Sequence, residues 1–185
     1  MRLWGKFGIA AALAAVATVL AASGSAQVLN SAASPIALRA VLPESLSLTL
    51  SGNAVNFNLT AGSPNNPGNT SITATTSWVL KRGVGRVTLY AYFANSTAAL
   101  TDGAGDNIPS ADFQISDNGG AFRPLTHTVP FGGAKAGLAV AHSLVLGKFQ
   151  GSRTDVMSFN INLRPLPNLP ADTYTGTLTV QARAF

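Results

Sequence analysis

The stretch LPADTYTGTLTVQARAF, Leu169 to Phe185, decides the fold class. From Tyr174 the even positions read Tyr, Gly, Leu, Val, Ala, Ala, while the odd positions from Thr175 read Thr, Thr, Thr, Gln, Arg. Successive side chains of a strand point to opposite faces, so a period of two marks a strand with one buried and one wet side. Leu178, Val180 and Ala182 are therefore expected in a core. Phe185 falls on the Thr-lined phase, where its ring is either a surface plug or a contact for a partner.

The same alternation recurs upstream. Leu46, Leu48 and Leu50 alternate with Ser and Thr, and after Ser51-Gly52-Asn53 so do Val55, Phe57 and Leu59, which reads as a hairpin. Ala61 to Asn69, AGSPNNPGN, is a turn region by its Gly, Pro and Asn. Ser71 to Leu80 and Val84 to Phe93 read as a second pair around Lys81-Arg82-Gly83. In that pair Trp78 reads as core with its N–H bonded to backbone, the alternative being a ligand-stacking indole. Asp117-Asn118-Gly119-Gly120 marks a tight hairpin into Ala121–Leu125, because Asn-Gly tolerates positive φ. From Leu138 the even residues through Leu146 share a face, and Met157, Phe159, Ile161 and Leu163 form another apolar row. Eight to ten strands at this spacing, with no helix beyond the leader, predict an all-β Greek-key, immunoglobulin-like β-sandwich over residues 44–185; a closed barrel is the alternative.

The other end of the chain speaks of compartment. Arg2 and Lys6 precede a 16-residue apolar run, Phe7–Ala22, followed by small residues to Ala26. That order is a secretory signal peptide spanning 1–26, since the run is shorter than the roughly 20 residues a spanning helix needs. The expected destination is the periplasm or cell surface of a bacterium. Removing 26 of 185 residues leaves 159, enough for one domain that buries about 70% of its unfolded surface. The mature chain keeps ten basic residues against seven acidic ones, and it has no cysteine. The tightest basic group is Lys81, Arg82 and Arg86, which does not suggest a nucleic-acid binder.

Catalytic chemistry has few residues to work with. Glu44 is the single glutamate, and most aspartates stand in turn contexts where they cap backbone. His127 and His142 belong to no metal-binding spacing, and Ser143 points away from His142 across the strand. Asp102 and Asp106 on DGAGDNIP are the residues to consider for calcium, although the loop lacks the terminal Glu of an EF-hand. No cofactor, metal site or catalytic residue is assigned, and the chain is expected not to be an enzyme. Asn58, Asn69 and Asn95 head Asn-X-Ser/Thr triplets, which arise by chance in so polar a chain. Tyr90 and Tyr92 share the outward phase of their strand, either packing across strands or offering a platform for a glycan or a partner.

Pro170, Ala171, Tyr174, Thr175, Thr177, Thr179 and Val180 resemble the closing strand of secreted bacterial β-sandwich subunits of the spore coat protein U and archaic chaperone-usher pilin type. That resemblance implies self-assembly by strand pairing, with a periplasmic chaperone and an outer-membrane usher as partners. It gives residues 27–43 a role as an extension whose alternating Ile36, Leu38, Ala40 and Leu42 complete the sandwich of another subunit; otherwise they are this sandwich's own first strand. The expected function is a structural or adhesive surface subunit, with an extracellular carbohydrate-binding module as the alternative.

Overall fold

The computed structural model describes residues 32–185, so the expected signal peptide lies outside the described residues, as do the first residues of the extension. Residues 32–40 and 41–185 belong to separate units. No strand covers 32–44, and Ile36, Leu38, Ala40 and Leu42 are all exposed. The expectation that Ile36–Leu42 forms the first strand of this sandwich is thereby corrected. Pro35 and Pro43 bracket the segment, each lacking a backbone donor and biasing the residue before it.

Eleven strands follow: β1 (Ser45–Leu50), β2 (Asn66–Pro67), β3 (Ile72–Val79), β4 (Arg86–Phe93), β5 (Leu100–Thr101), β6 (Asn107–Ile108), β7 (Phe113–Asp117), β8 (Arg123–Pro124), β9 (Ala136–Leu144), β10 (Gln150–Ile161) and β11 (Leu178–Ala184). They form an all-β sandwich. The larger sheet runs β1-β3-β10-β7-β8, with β2 on the end of β10, and the smaller runs β11-β4-β9. Every pairing is antiparallel, and β10 inserts between β3 and β7, a crossover of Greek-key type. β10 is the spine because its odd positions Met157, Phe159 and Ile161 are almost wholly buried, as the apolar row requires.

Three local expectations are corrected. Residues 45–50 and 55–59 do not pair with each other. Ser51-Gly52-Asn53 is a jog, not a reversal: Leu50 faces Ala74, Ser51 N–H donates to Thr73 O at 2.9 Å, and Phe57 bridges Gly68. The chain turns back only at 61–65, where Ser63 N–H donates to Thr60 O and Thr60 N–H donates to the Asn66 side chain. β3 and β4 likewise do not form a hairpin; Lys81-Arg82-Gly83 carries the chain from one sheet to the other, since both strands have apolar inner faces that must oppose one another. Finally, a β-bulge between Leu89 and Tyr90 leaves Val140 as the extra residue of β9. Leu138 and Ala141 point inward while His142 and Leu144 are exposed on the outer face, so the even positions do not share one side. The Asn118-Gly119 turn is as expected, both residues having positive φ (49° and 74°).

The interior has two apolar clusters. The main one joins β3, β4, β7, β9 and β10, with Phe113 edge-on to Phe93 at 5.1 Å and to Phe57 at 5.7 Å. The smaller gathers Trp78, Val87 and Val145 at one end. Trp78 is core as expected, but its Nε1 has no protein partner among the described residues. Between the clusters lies a polar layer. Arg153 donates through Nε to Asp155 Oδ1 at 2.7 Å and through Nη1 to His142 O at 2.7 Å, and its Nη2 is 3.6 Å from Asp117. Asp155 is 1% exposed, and Asn118 also donates to it. Burial pushes the Asp117 carboxyl above the ordinary aspartate value, the charge of Asp155 adds to this, and Arg153 and Arg123 oppose it.

An Arg153→Met variant should lose about 3 kcal/mol of stability at neutral pH in urea unfolding, because a buried carboxylate is left without its cation. A carboxyl raised in the folded state opposes folding only when ionised. The loss should therefore shrink as pH falls through the ordinary aspartate range, and a loss independent of pH would contradict the account.

Candidate functional site

β1 is the outer strand of the larger sheet and β11 the outer strand of the smaller, and the two lie on the same side of the sandwich. Beyond Leu50 the jog at 51–53 carries the first edge toward β2, where Asn69 N–H donates to Asn56 O at 2.9 Å. Opposite it, residues 169–177 approach β11 as irregular chain, tied down by reciprocal 2.9 Å bonds between Thr101 and Thr175. A Cβ on Gly176 would collide with the Ala99 carbonyl, which is why glycine stands where the wall passes β5.

The walls do not meet. Between them opens a cleft of about 890 Å³ whose floor is the main core, including Phe93, Phe113, Met157 and Phe159. Val55, Phe57 and Leu59 line one side, and Leu169, Tyr174 and Leu178 the other. Leu178 and Val180 are half-buried for this reason: they pack on the core from one side and face the opening from the other. The outer edge of β11 has no strand partner among the described residues, so the cleft combines apolar side chains with unpaired main chain.

Its chemistry is sparse. Asp172 and Tyr174 are the titratable groups among its lining residues. Asp172 accepts from its neighbour Thr173 N–H at 2.6 Å, and the Tyr174 hydroxyl donates to Pro170 O at 3.0 Å. Burial pushes the Tyr174 hydroxyl upward, with the charges of Asp106, Asp102 and Asp172 adding to the shift. No nucleophile stands beside a base there.

The other sequence-derived candidates lie elsewhere. On the outer face of the smaller sheet, Tyr90, Tyr92 and Phe185 come together with Phe131 from the Gly-rich segment before β9. Phe131 is buried, edge-on to Tyr90 at 5.5 Å and tilted over Tyr92 at 4.8 Å. Tyr90 is 9% exposed, with Phe185 at 6.4 Å and the Arg183 guanidinium 5.8 Å above its ring. Neither tyrosine offers an open ring face. Phe185 is half exposed, edge-on to Tyr90 and under Arg86 at 5.8 Å.

Asp102 Oδ1 accepts from the N–H groups of Ala104, Gly105 and Asp106 at 2.8–3.0 Å, so it is engaged by its own loop. Burial pulls its carboxyl upward, but those three bonds outweigh it and hold it below the ordinary aspartate value. His127 bridges Gly137 through backbone, and His142 is exposed on β9. No group of three metal-ligating side chains occurs among the described residues.

No protein-family model and no curated protein matches the chain.

The packing of Phe131 requires Gly137, where a Cβ would run into Ala91 O, Tyr92 Cβ and the Phe131 ring. Gly137→Ala should therefore destabilise the protein by about 1–3 kcal/mol and loosen Phe131 from the tyrosines. Thermal unfolding and near-ultraviolet circular dichroism of the tyrosine bands would register both effects; unchanged spectra would contradict the packing.

Proposed function

We propose that the chain is a non-catalytic, exported surface subunit that assembles by strand pairing, in the manner of spore coat protein U and archaic pilin subunits. The observation that carries this reading is the cleft. A strand laid along it meets the free edge of β11 with its main chain and places alternate side chains on the exposed core. An aliphatic row at every second position suits such a groove, since each apolar side chain moved out of water contributes about 1.5–3 kcal/mol.

Ile36, Leu38, Ala40 and Leu42 supply that row in this sequence, and they are exposed and unpaired into strands among the described residues. The proposed occupant is accordingly residues 34–43 of a second copy. A chaperone and usher, as in the families it resembles, would then deliver subunits before the segment is exchanged. Glycan binding by Tyr90 and Tyr92 is not favoured, because those rings are already covered.

Deleting residues 27–43 should convert oligomers into monomers in analytical ultracentrifugation. Val55→Trp, which fills the cleft without altering the extension, should do the same. A synthetic peptide of residues 34–43 should raise the melting temperature of the deletion variant. If the intact protein is monomeric and the peptide leaves the melting temperature unchanged, strand donation is not how this protein works.

A further inference from the structure

Charge is divided unevenly between the two sheets. Residues 80–93, 129–149 and 173–185, which build the smaller sheet and its flanking turns, contain six basic residues and no Asp or Glu. The acidic residues lie on other segments: Glu44 pairs with Lys81, Asp117 and Asp155 with Arg153, and Asp102, Asp106 and Asp172 gather near Tyr174. Among the described residues Arg86, Lys135 and Arg183 have no ion-pair partner.

These three cations form a line. Arg86 lies over Phe185, Arg183 over Tyr90 and Lys135 over Tyr92, each 5.7–5.8 Å from the ring centroid. The rings follow β4 from position 86, where Phe185 pairs through reciprocal backbone bonds, to position 92. Six residues of strand span about 20 Å. Each cation is steadied by its ring, and Arg183 further by Gln181 at 3.1 Å and Pro130 O at 3.4 Å, so less freedom is lost on binding. Thr179 and Gln181 stand on the same face of β11 and offer neutral hydrogen-bonding groups between the charges.

We infer that this outer face binds a linear acidic polysaccharide, its carboxylates meeting Arg86, Arg183 and Lys135 and its hydroxyls meeting Thr179 and Gln181. A single file of guanidinium and ammonium groups matches carboxylates strung along one chain. Ring faces already under cations offer no platform for nucleic-acid bases. A lipid surface would use the exposed Val129, Leu144 and Leu146 beside these cations, Leu144 being paired with Arg86, and competition by vesicles distinguishes it from a polysaccharide. The site is on the opposite face from the cleft walls and does not depend on strand donation.

Retention of the full chain on immobilised polygalacturonate, against a neutral polysaccharide, tests this. The triple variant Arg86→Gln, Lys135→Gln, Arg183→Gln should bind about tenfold or more weakly. A control with the same loss of charge off the stripe, Arg82→Gln, Lys148→Gln, Arg164→Gln, should bind within about twofold of the unmodified protein. Arg183→Lys, which keeps the charge with little change in packing, should retain most binding where Arg183→Gln does not, and melting temperatures verify that each variant is folded. Equal loss in both triples, equal competition by a DNA oligonucleotide or by phosphatidylglycerol vesicles, or no retention of the unmodified protein would overturn the inference. The stripe variants should leave oligomer size unchanged and Val55→Trp should leave retention unchanged, which separates failure here from failure of the assembly reading.

Discussion

Everything in this molecule follows from an unequal stacking: six strands face three. An apolar sheet face must be covered by another layer, and three strands cannot span the inner side of six. On the β8 and β9 side the shortfall is closed, with Arg123 Nη2 donating to the Val140 carbonyl at 2.7 Å across the gap. On the β1 and β11 side the two strands approach one another along part of their length, but beyond Leu50 and before Leu178 the gap stays open. The jog at Ser51–Asn53 and the irregular 169–177 line the opening, which leaves half-buried apolar side chains where a complete sandwich would have buried ones.

The polar layer around Arg153 fits the same frame. One guanidinium serves two carboxylates and a main-chain carbonyl, joining the Asn118 turn, β10 and β9. Directional bonds of this kind fix how the two sheets sit, where apolar contact alone tolerates sliding. The closed side of the sandwich thus holds its geometry by itself.

Much of this was legible in the residues. Period-two patterning in 72–79, 86–93 and 178–184 identified strands and most of their inner faces, because each alternates between a packed and a wet or covered side. The Asn118-Gly119 turn was legible because its backbone needs positive φ. Pairing partners were not. Nothing local distinguishes a jog from a reversal at Ser51-Gly52-Asn53, nor a crossover from a hairpin at Lys81-Gly83. Those are settled by where distant apolar faces find cover. The cleft is invisible to pattern for the same reason, since its lining residues read as ordinary core positions. Tyr90 and Tyr92 were placed on the correct face, but Phe131 covers them from a glycine-rich loop with no periodicity to betray it.

The bulge at Val140 has a consequence for how the chain tolerates change. It works as a frame-shift within β9: upstream of it the strand addresses the core with Leu138, and downstream the phase is reversed so that His142 and Leu144 look outward. Insertions and deletions in this strand are therefore not equivalent along its length. Losing Val140 would leave Ala139 and Ala141 adjacent and still opposite Tyr90 and Leu89, so both halves keep their faces, whereas losing a paired residue beyond the bulge would exchange inside and outside for the rest of the strand, Ser143 for Leu144 and core for solvent. The strand carries two half-sequences written in opposite phase, and the single unpaired residue between them accounts for the offset.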